Sequence, residues 1–370
     1  MNRFAYTRLW SVLGISLIVA AGNLKAEDPW VIYEGKEGPG KGKHIVLISG
    51  DEEYRSEEAL PMLGRILAEH HGFKCTVLFA IDKKTGIINP NVFDNIPGLQ
   101  SLESADLMLI FTRFRDLPDE QMKYIDDFVN SGKPILGLRT STHGFQNGRR
   151  MRPINRQIGA LKKKPELSED EKQKLANLEA QKKKMQTSPY RKYGGSKEWR
   201  GGFGLQVLGE KWSGHYGHHK REATRGIINE EHKDHPMLKD VVNIFGPTDV
   251  YGAPNVPKDA QILVWGQVLA GMKPGDKPNE KKKLQPLCWT KTFKGSAGKV
   301  NRVFATTMGA SVDFKSAGLR RIVVNACYWG MGLEDKIPEK SNVDIVGEFK
   351  PTFYGFGSVK KNVKPSDLKL

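Results

Sequence analysis

The chain of 370 residues carries 58 Lys and Arg against 42 Asp and Glu, a formal net charge of +16, with only three cysteines. So sparse and odd a count excludes a small disulfide-built scaffold, and Cys75, Cys288 and Cys327, each inside an apolar pattern, read as buried free thiols. The basicity is local. Residues 149–200 hold 16 Lys and Arg against 6 Asp and Glu, and with Arg3, Arg8 and Lys25 of the first 26 residues also set aside the rest is close to neutral. A basic exported protein can meet polyanionic polysaccharide, lipid headgroups or nucleic acid, while the plainer reading is a solvated basic insertion. Nothing in the pattern marks a specific nucleic-acid reader.

Residues 1–26 read as a secretory signal. Arg3 and Arg8 give the positive start, residues 10–21 the apolar core, and Leu24-Lys25-Ala26 a small-residue cleavage site. The apolar run is too short for a dependable membrane span, and no other stretch is apolar enough. The mature chain is therefore expected in the periplasm or outside the cell, not spanning the membrane. Residues 27–42 form an N-terminal extension.

Residues 44–49 (H-I-V-L-I-S) predict a buried strand, and Asp51, Glu52 and Glu53 leave its end. A helix follows, with Leu63, Ile66, Leu67 and His70 at helical spacing and Gly72 as its stop. Pro61 belongs in a first turn, so that helix should begin shortly before it. Residues 74–80 and 105–111 predict two more strands, the second running into Arg113 and Arg115. Pro118 opens a helix with Met122, Ile125, Phe128 and Val129 on one face, and Gly132 closes it. Residues 134–138 are the fourth strand, breaking at Arg139 into Thr140, Ser141, Thr142 and His143. Strands alternating with helices of this length predict an α/β fold around a doubly wound parallel sheet. In such sheets chemistry sits beyond the carboxyl ends of the strands. A strand that turns sharply into a helix often mounts a nucleophile there, yet arginine cannot attack, so this elbow is expected to hold an anion or a ligand.

In the basic insertion, Ser168 to Glu171 makes a capping box for a highly charged helix with few apolar residues, expected on the surface. A glycine-rich return leads to G-H-Y-G-H-H, residues 214–219. Residues 262–269, 286–293 and 302–307 predict a β-rich C-terminal portion, residues 315–333 a last helix, and residues 336–370 a tail wrapped over the surface.

Taken together, the stretches I-S-G-D-E-E-Y-R-S-E-E-A-L-P, F-T-R-F-R-D-L-P-D-E-Q, G-L-R-T-S-T-H-G-F, W-S-G-H-Y-G-H-H, D-H-P, G-P-T-D-V-Y-G, T-T-M-G-A-S and R-R-I-V-V-N-A-C-Y-W-G-M-G-L-E resemble the ThuA-like (trehalose-utilisation) family. The likeness is to its exported bacterial branch, within the class I glutamine amidotransferase-like superfamily. They span residues 43–335, with 149–200 outside the resemblance. It implies a flavodoxin-like sheet with the site at the strand tips, and an association with disaccharide use more than a defined reaction. The amidotransferase branch of that superfamily uses a cysteine at the elbow and a histidine with a nearby glutamate. Here Arg139 takes the cysteine's place and His235-Pro236 is followed by Met237, so glutamine hydrolysis by that route is excluded on chemistry. Gly309-Ala310 also stands where many ThuA-like chains carry Gly-His.

The candidate site residues follow. H-x-x-H-H in a glycine-flanked loop lets imidazoles converge, so His215, His218 and His219 can bind a divalent metal, with Asp249, Asp51 or Glu52 giving oxygen; they can equally touch a sugar. Asp51, Glu52, His143 and His215 are the candidate acid–base groups. The plainer role for the carboxylates is to neutralise Arg113, Arg115 or Arg139. Arg113, Arg139, Thr140, Ser141, His218, Asp249 and Tyr251 are candidate ligand-binding residues. Thr140 and Ser141 are expected to cap the next helix and donate to an anion there. The expected partner is a carbohydrate, an oligosaccharide or its oxidised derivative, with Trp199, Trp212 and Tyr216 as stacking surfaces. The alternatives are a non-catalytic sugar binder and an interaction protein working through its basic insertion.

Overall fold

The computed structural model describes residues 28–370; the expected signal at residues 1–26 lies outside them. A single ten-stranded sheet organises the chain, in the order β1-β3-β2-β4-β5-β10-β9-β8-β6-β7. Five strands are mutually parallel: β2 (His44–Gly50), β3 (Lys74–Leu78), β4 (Leu107–Thr112), β5 (Ile135–Leu138) and β10 (Val300–Thr306). Numbered by chain position, they run 2-1-3-4-5 across the sheet. The expected strands are present within two or three residues of their predicted ends.

Both faces are covered, which is why these strands are continuous apolar runs rather than alternating ones. Ile45 and Leu47 face α1 (Ser56–His71) and α5 (Ala317–Gly330), whereas Val46 and Ile48 face the side covered by α2 (Asp119–Val129). Helix α2 shows the energetics. Met122, Ile125, Phe128 and Val129 recur at helical spacing and are all buried, and each full burial contributes about 2 kcal/mol.

The β-rich C-terminal portion is an antiparallel extension of the same sheet. It comprises β9 (Gln285–Lys294), β8 (Gln261–Val268), β6 (Thr224–Ile228) and β7 (Phe245–Gly246). Strands β6 and β7 were not expected; they are short, and β6 pairs through Gly226, which weakens its pattern. At the other edge β1 (Trp30–Tyr33) pairs antiparallel to β3, so part of the N-terminal extension belongs to the sheet. Helix α1 begins at Ser56 and carries Pro61 well inside it, a turn further in than expected. Glu58 in its first turn complements the positive amide end, whereas burial raises the neighbouring Glu57 to about 8.

The insertion forms a hairpin of α3 (Met151–Lys162) and α4 (Glu169–Thr187), the latter opened by the expected capping box and burying none of its residues. The return does not stay on the surface. Tyr193 is 1% exposed, its hydroxyl donates to Asp126 at 2.7 Å, and Phe145, Trp199 and Phe203 close around its ring. The three cysteines are buried and free. No helix among the described residues is long and apolar enough to cross a membrane.

Candidate functional site

The carboxyl ends of β2, β4, β5 and β10 meet at one edge, and the chain leaves three of them with difficulty. Arg55, Phe114 and Arg139 all have positive φ (62°, 49° and 40°), a region that non-glycine residues enter only when their surroundings hold them there. Such strain collects at functional sites, and all three residues stand here.

Arg139 is wholly buried at the elbow after β5. Its guanidinium lies between the faces of Tyr54 and Tyr251, 4.0 and 4.4 Å from the ring centres. One terminal nitrogen donates to the Thr307 carbonyl at 2.7 Å, the Thr248 hydroxyl at 3.1 Å and the Asp249 carbonyl at 3.3 Å. The other stands 3.8 Å from the Asp249 carboxylate and has no hydrogen-bond partner, nor does Nε. Neither Asp51 nor Glu52 pairs with it, contrary to the expectation that they neutralise Arg139; Glu52 goes to Arg113 and Arg115, and Asp51 to Thr140.

Asp51 is spent inside the fold. It is fully buried, one oxygen accepting from the backbone amides of Glu53 (2.6 Å) and Tyr54 (2.5 Å) and the other from the Thr140 hydroxyl. That removes Asp51 and Thr140 from the substrate-facing set. Ser141 leaves it too, because its hydroxyl donates to the Ile110 carbonyl at 2.7 Å and accepts from the Thr112 amide. The expected anion-binding helix end is not formed: a five-residue 3-10 turn (Arg139–His143) follows β5, without a side-chain cap.

Glu52 fills the plainer role. It pairs with Arg113 at 2.5 Å and with Arg115. Burial lowers Arg115 to about 10, and its other donors go to the carbonyls of Pro90, Val92 and Arg113. Glu53 approaches Arg113 Nε at 3.3 Å and His219 Nε2 at 3.6 Å.

The G-H-Y-G-H-H loop lies at the same edge. It is tied by the Tyr216 amide to Val250, and a Cβ on Gly217 would stand 2.9 Å from Asp249 Cβ, so the glycine permits the approach. Asp249 is fully buried, and its two oxygens accept from His215 Nδ1 at 2.6 Å and His219 Nδ1 at 2.9 Å. Burial pushes this carboxyl up, but the two histidine hydrogen bonds and the Arg139 charge outweigh it and hold it well below the usual carboxylate range. Each imidazole is about a third exposed. Among the described residues, His215, His219 and Asp249 are the His, Cys, Asp and Glu side chains whose donor atoms converge on one point, within 4.8 Å of one another. His218 does not join them; its ring is exposed, and only its backbone is engaged, the amide donating to Glu222 at 2.7 Å and the carbonyl accepting from the amides of Arg221 and Glu222.

Aromatic rings wall the histidines. His143 packs between Phe114 (4.7 Å) and Trp212 (5.2 Å), and burial with the nearby Arg113 charge holds it well below the usual histidine range, so it is neutral. Trp212 and Tyr251 lie against His215, and Tyr354 lies edge-on to His219 at 5.2 Å while stacking on Tyr54. Thus Arg113, Arg139, His143, Glu52, His215, His219, Asp249 and Tyr251 share one edge. Tyr54, Trp212, Asp313 and the tail residues Tyr354 and Phe356 were not candidate site residues in the sequence, apart from Trp212 as a stacking surface. Asp313 is buried and accepts from Thr248 and the amides of Gly309 and Ala310, which shapes the turn after β10. The tail has no periodicity to reveal a buried tyrosine.

No family model and no curated protein matches the chain. Among solved structures, a protein of Parabacteroides merdae described as ThuA-like is 14% identical, covering 79% of this chain and 90% of its own, with a TM-score of 0.44. A second, from Bacteroides uniformis, is 11% identical over 80% of this chain and 92% of its own, TM-score 0.41. An exo-β-1,4-mannosidase from Opitutaceae bacterium strain TAV5 is 11% identical over 78% of this chain and 36% of its own, TM-score 0.30. These likenesses assign no function to the chain.

Proposed function

We propose that this chain is an exported ThuA-like protein, secreted or periplasmic, with a flavodoxin-like sheet, which acts on or binds a carbohydrate at the carboxyl ends of its parallel strands. The observation that carries this reading is the pair of partly exposed imidazoles held through Nδ1 by one buried carboxylate, inside a wall of Trp212, Tyr251 and Tyr354. Aromatic faces suit the C–H faces of a sugar ring. Arg113, partly exposed beside the buried Glu53, suits its hydroxyls. An imidazole oriented by a carboxylate can accept or return a proton at a hydroxyl or at a carbon α to a carbonyl, which is general acid–base work without a nucleophile at the elbow. Arg139 in the cysteine's place argues against glutamine hydrolysis.

A panel of neutral and oxidised mono-, di- and oligosaccharides, trehalose included, tests the reading by thermal shift and calorimetry. At least one member should raise the melting temperature, and Trp212→Ala should weaken its binding about tenfold, the worth of one lost stacking face of roughly 1.4 kcal/mol. Silence across the panel would turn attention to the second reading, an interaction protein working through its basic insertion. That reading draws on helix α4, whose residues are all unburied and whose lysines stay in solvent.

A further inference from the structure

The geometry points to a metal centre: we propose that His215, His219 and Asp249 hold one divalent first-row transition ion, with Glu53 as the outer carboxylate of His219. The inference is independent of which sugar, if any, the site takes.

Two imidazoles and one carboxylate are the donor set that zinc, iron(II) and manganese(II) accept, and three protein ligands leave positions for water or a substrate oxygen. Donor atoms from the three residues lie within 4.8 Å of one another, so small side-chain shifts bring them inside the roughly 4.4 Å that two bonds of about 2.0–2.2 Å to one ion allow. In the ion-free arrangement Asp249 accepts from both Nδ1 atoms, at 2.6 and 2.9 Å. An ion at that point replaces both hydrogen bonds, each ring keeping its single proton by carrying it on Nε2 instead.

A second observation favours this. Glu53 Oε1 stands 3.6 Å from His219 Nε2, on the side of the ring away from Asp249. A metal-bound histidine characteristically donates its other N–H to a carboxylate, and the tautomer that metal binding demands puts that proton toward Glu53. Tyr354 and Tyr251 supply the apolar surround that limits water around such a centre. Arg139, 3.8 Å from Asp249, opposes a cation, but its charge is spread over two tyrosine faces and three oxygens. His218, the third histidine of the motif, has no part.

The test uses the purified protein stripped with a chelator and titrated with Zn2+ by calorimetry, then with Co2+ by visible absorption. One ion per chain is expected, with cobalt bands that report nitrogen and oxygen ligands, and Zn2+ should raise the melting temperature. His215→Ala and His219→Ala should each abolish the stoichiometric site, Glu53→Gln should weaken it about tenfold, and His218→Ala should leave it unchanged. Circular dichroism confirms that each variant is folded; should one not fold, the same loss is read from the wild-type protein as protection of the histidines from diethyl pyrocarbonate by Zn2+. No stoichiometric binding to wild type, or equal binding to the His215→Ala/His219→Ala double variant, overturns the proposal. His219 would then be a histidine shared between two carboxylates.

Discussion

Arg139 shows how much one residue is asked to do. Its backbone sits at φ 40°, its side chain is wholly buried, and its partners come from three separate segments through Tyr54, Tyr251 and Thr307. Arg139→Ala should therefore cost about 3 kcal/mol in denaturant unfolding, by emptying a slot between two tyrosines and leaving three carbonyl or hydroxyl oxygens without a donor. Arg139→Lys keeps the charge but not the flat face, and should recover less than half of that. Full recovery by lysine would mean that charge alone matters. His71 supports a prediction about pH. Burial lowers it from 6.5 to about 4, because its ring is enclosed, one nitrogen facing the Tyr328 hydroxyl at 2.9 Å and the other donating to the Asn342 carbonyl at 2.7 Å. Between those values the unfolded chain binds a proton that the folded one refuses, so stability is complete above pH 6.5 and falls as pH drops toward 4. The loss approaches about 3 kcal/mol. Urea midpoints at pH 7.5 and 4.5 should differ more for the wild type than for His71→Gln, which cannot titrate; equal differences would remove His71 from the acid response.

At the level of elements, the basic insertion divides in two. Helices α3 and α4 pack on each other, with Ile154, Ile158 and Leu161 of α3 buried, whereas the return through Tyr193 and Trp199 docks into the sheet's own core cluster. Dispensability, which the sparse apolar face of α4 suggests for the whole of 149–200, therefore belongs only to its first part. Replacing residues 151–187 with a short Gly/Ser linker should preserve a cooperative melt within a few degrees. Carrying the deletion through residue 200 should lower the midpoint sharply, since Tyr193 alone buries on the order of 2–3 kcal/mol of aromatic surface. If both deletions melt alike, the docking of Tyr193 is worth nothing measurable.

At the scale of the molecule, the C-terminal tail closes the site that the sheet opens. Tyr354 stacks on Tyr54, Gly355 bonds Glu53 through its amide and Arg55 through its carbonyl, and Phe356 covers Arg113. Arg55 is wholly buried at φ 62° and would lose its main acceptor without the tail. Truncation after Asp344 should thus destabilise the chain by several kcal/mol, the usual cost of a stranded buried charge, and expose Tyr54 to fluorescence quenchers. A truncated chain with an unchanged melting temperature would show that the tail only decorates the surface.

The amino-acid pattern by itself determined the alternation of strands and helices, the placement of Arg113, Arg139 and His143 at strand ends, and the capping box at Ser168. These are local facts, set by periodicities of about 3.6 and 2 residues and by side chains next to one another in the chain. Which carboxylate meets which cation was not local. Asp51, Glu52 and Glu53 are consecutive, yet one is consumed by Thr140, one by two arginines, and the third turns to Arg113 and His219. Likewise His218 and His219 are adjacent, and only one faces Asp249. Successive residues in a glycine-flanked loop point in directions set by backbone torsions that no spacing rule fixes, and Tyr354 reaches His219 from a segment with no periodicity at all. Tertiary packing made those choices, because a buried carboxylate is stable only where donors from distant strands happen to converge on it.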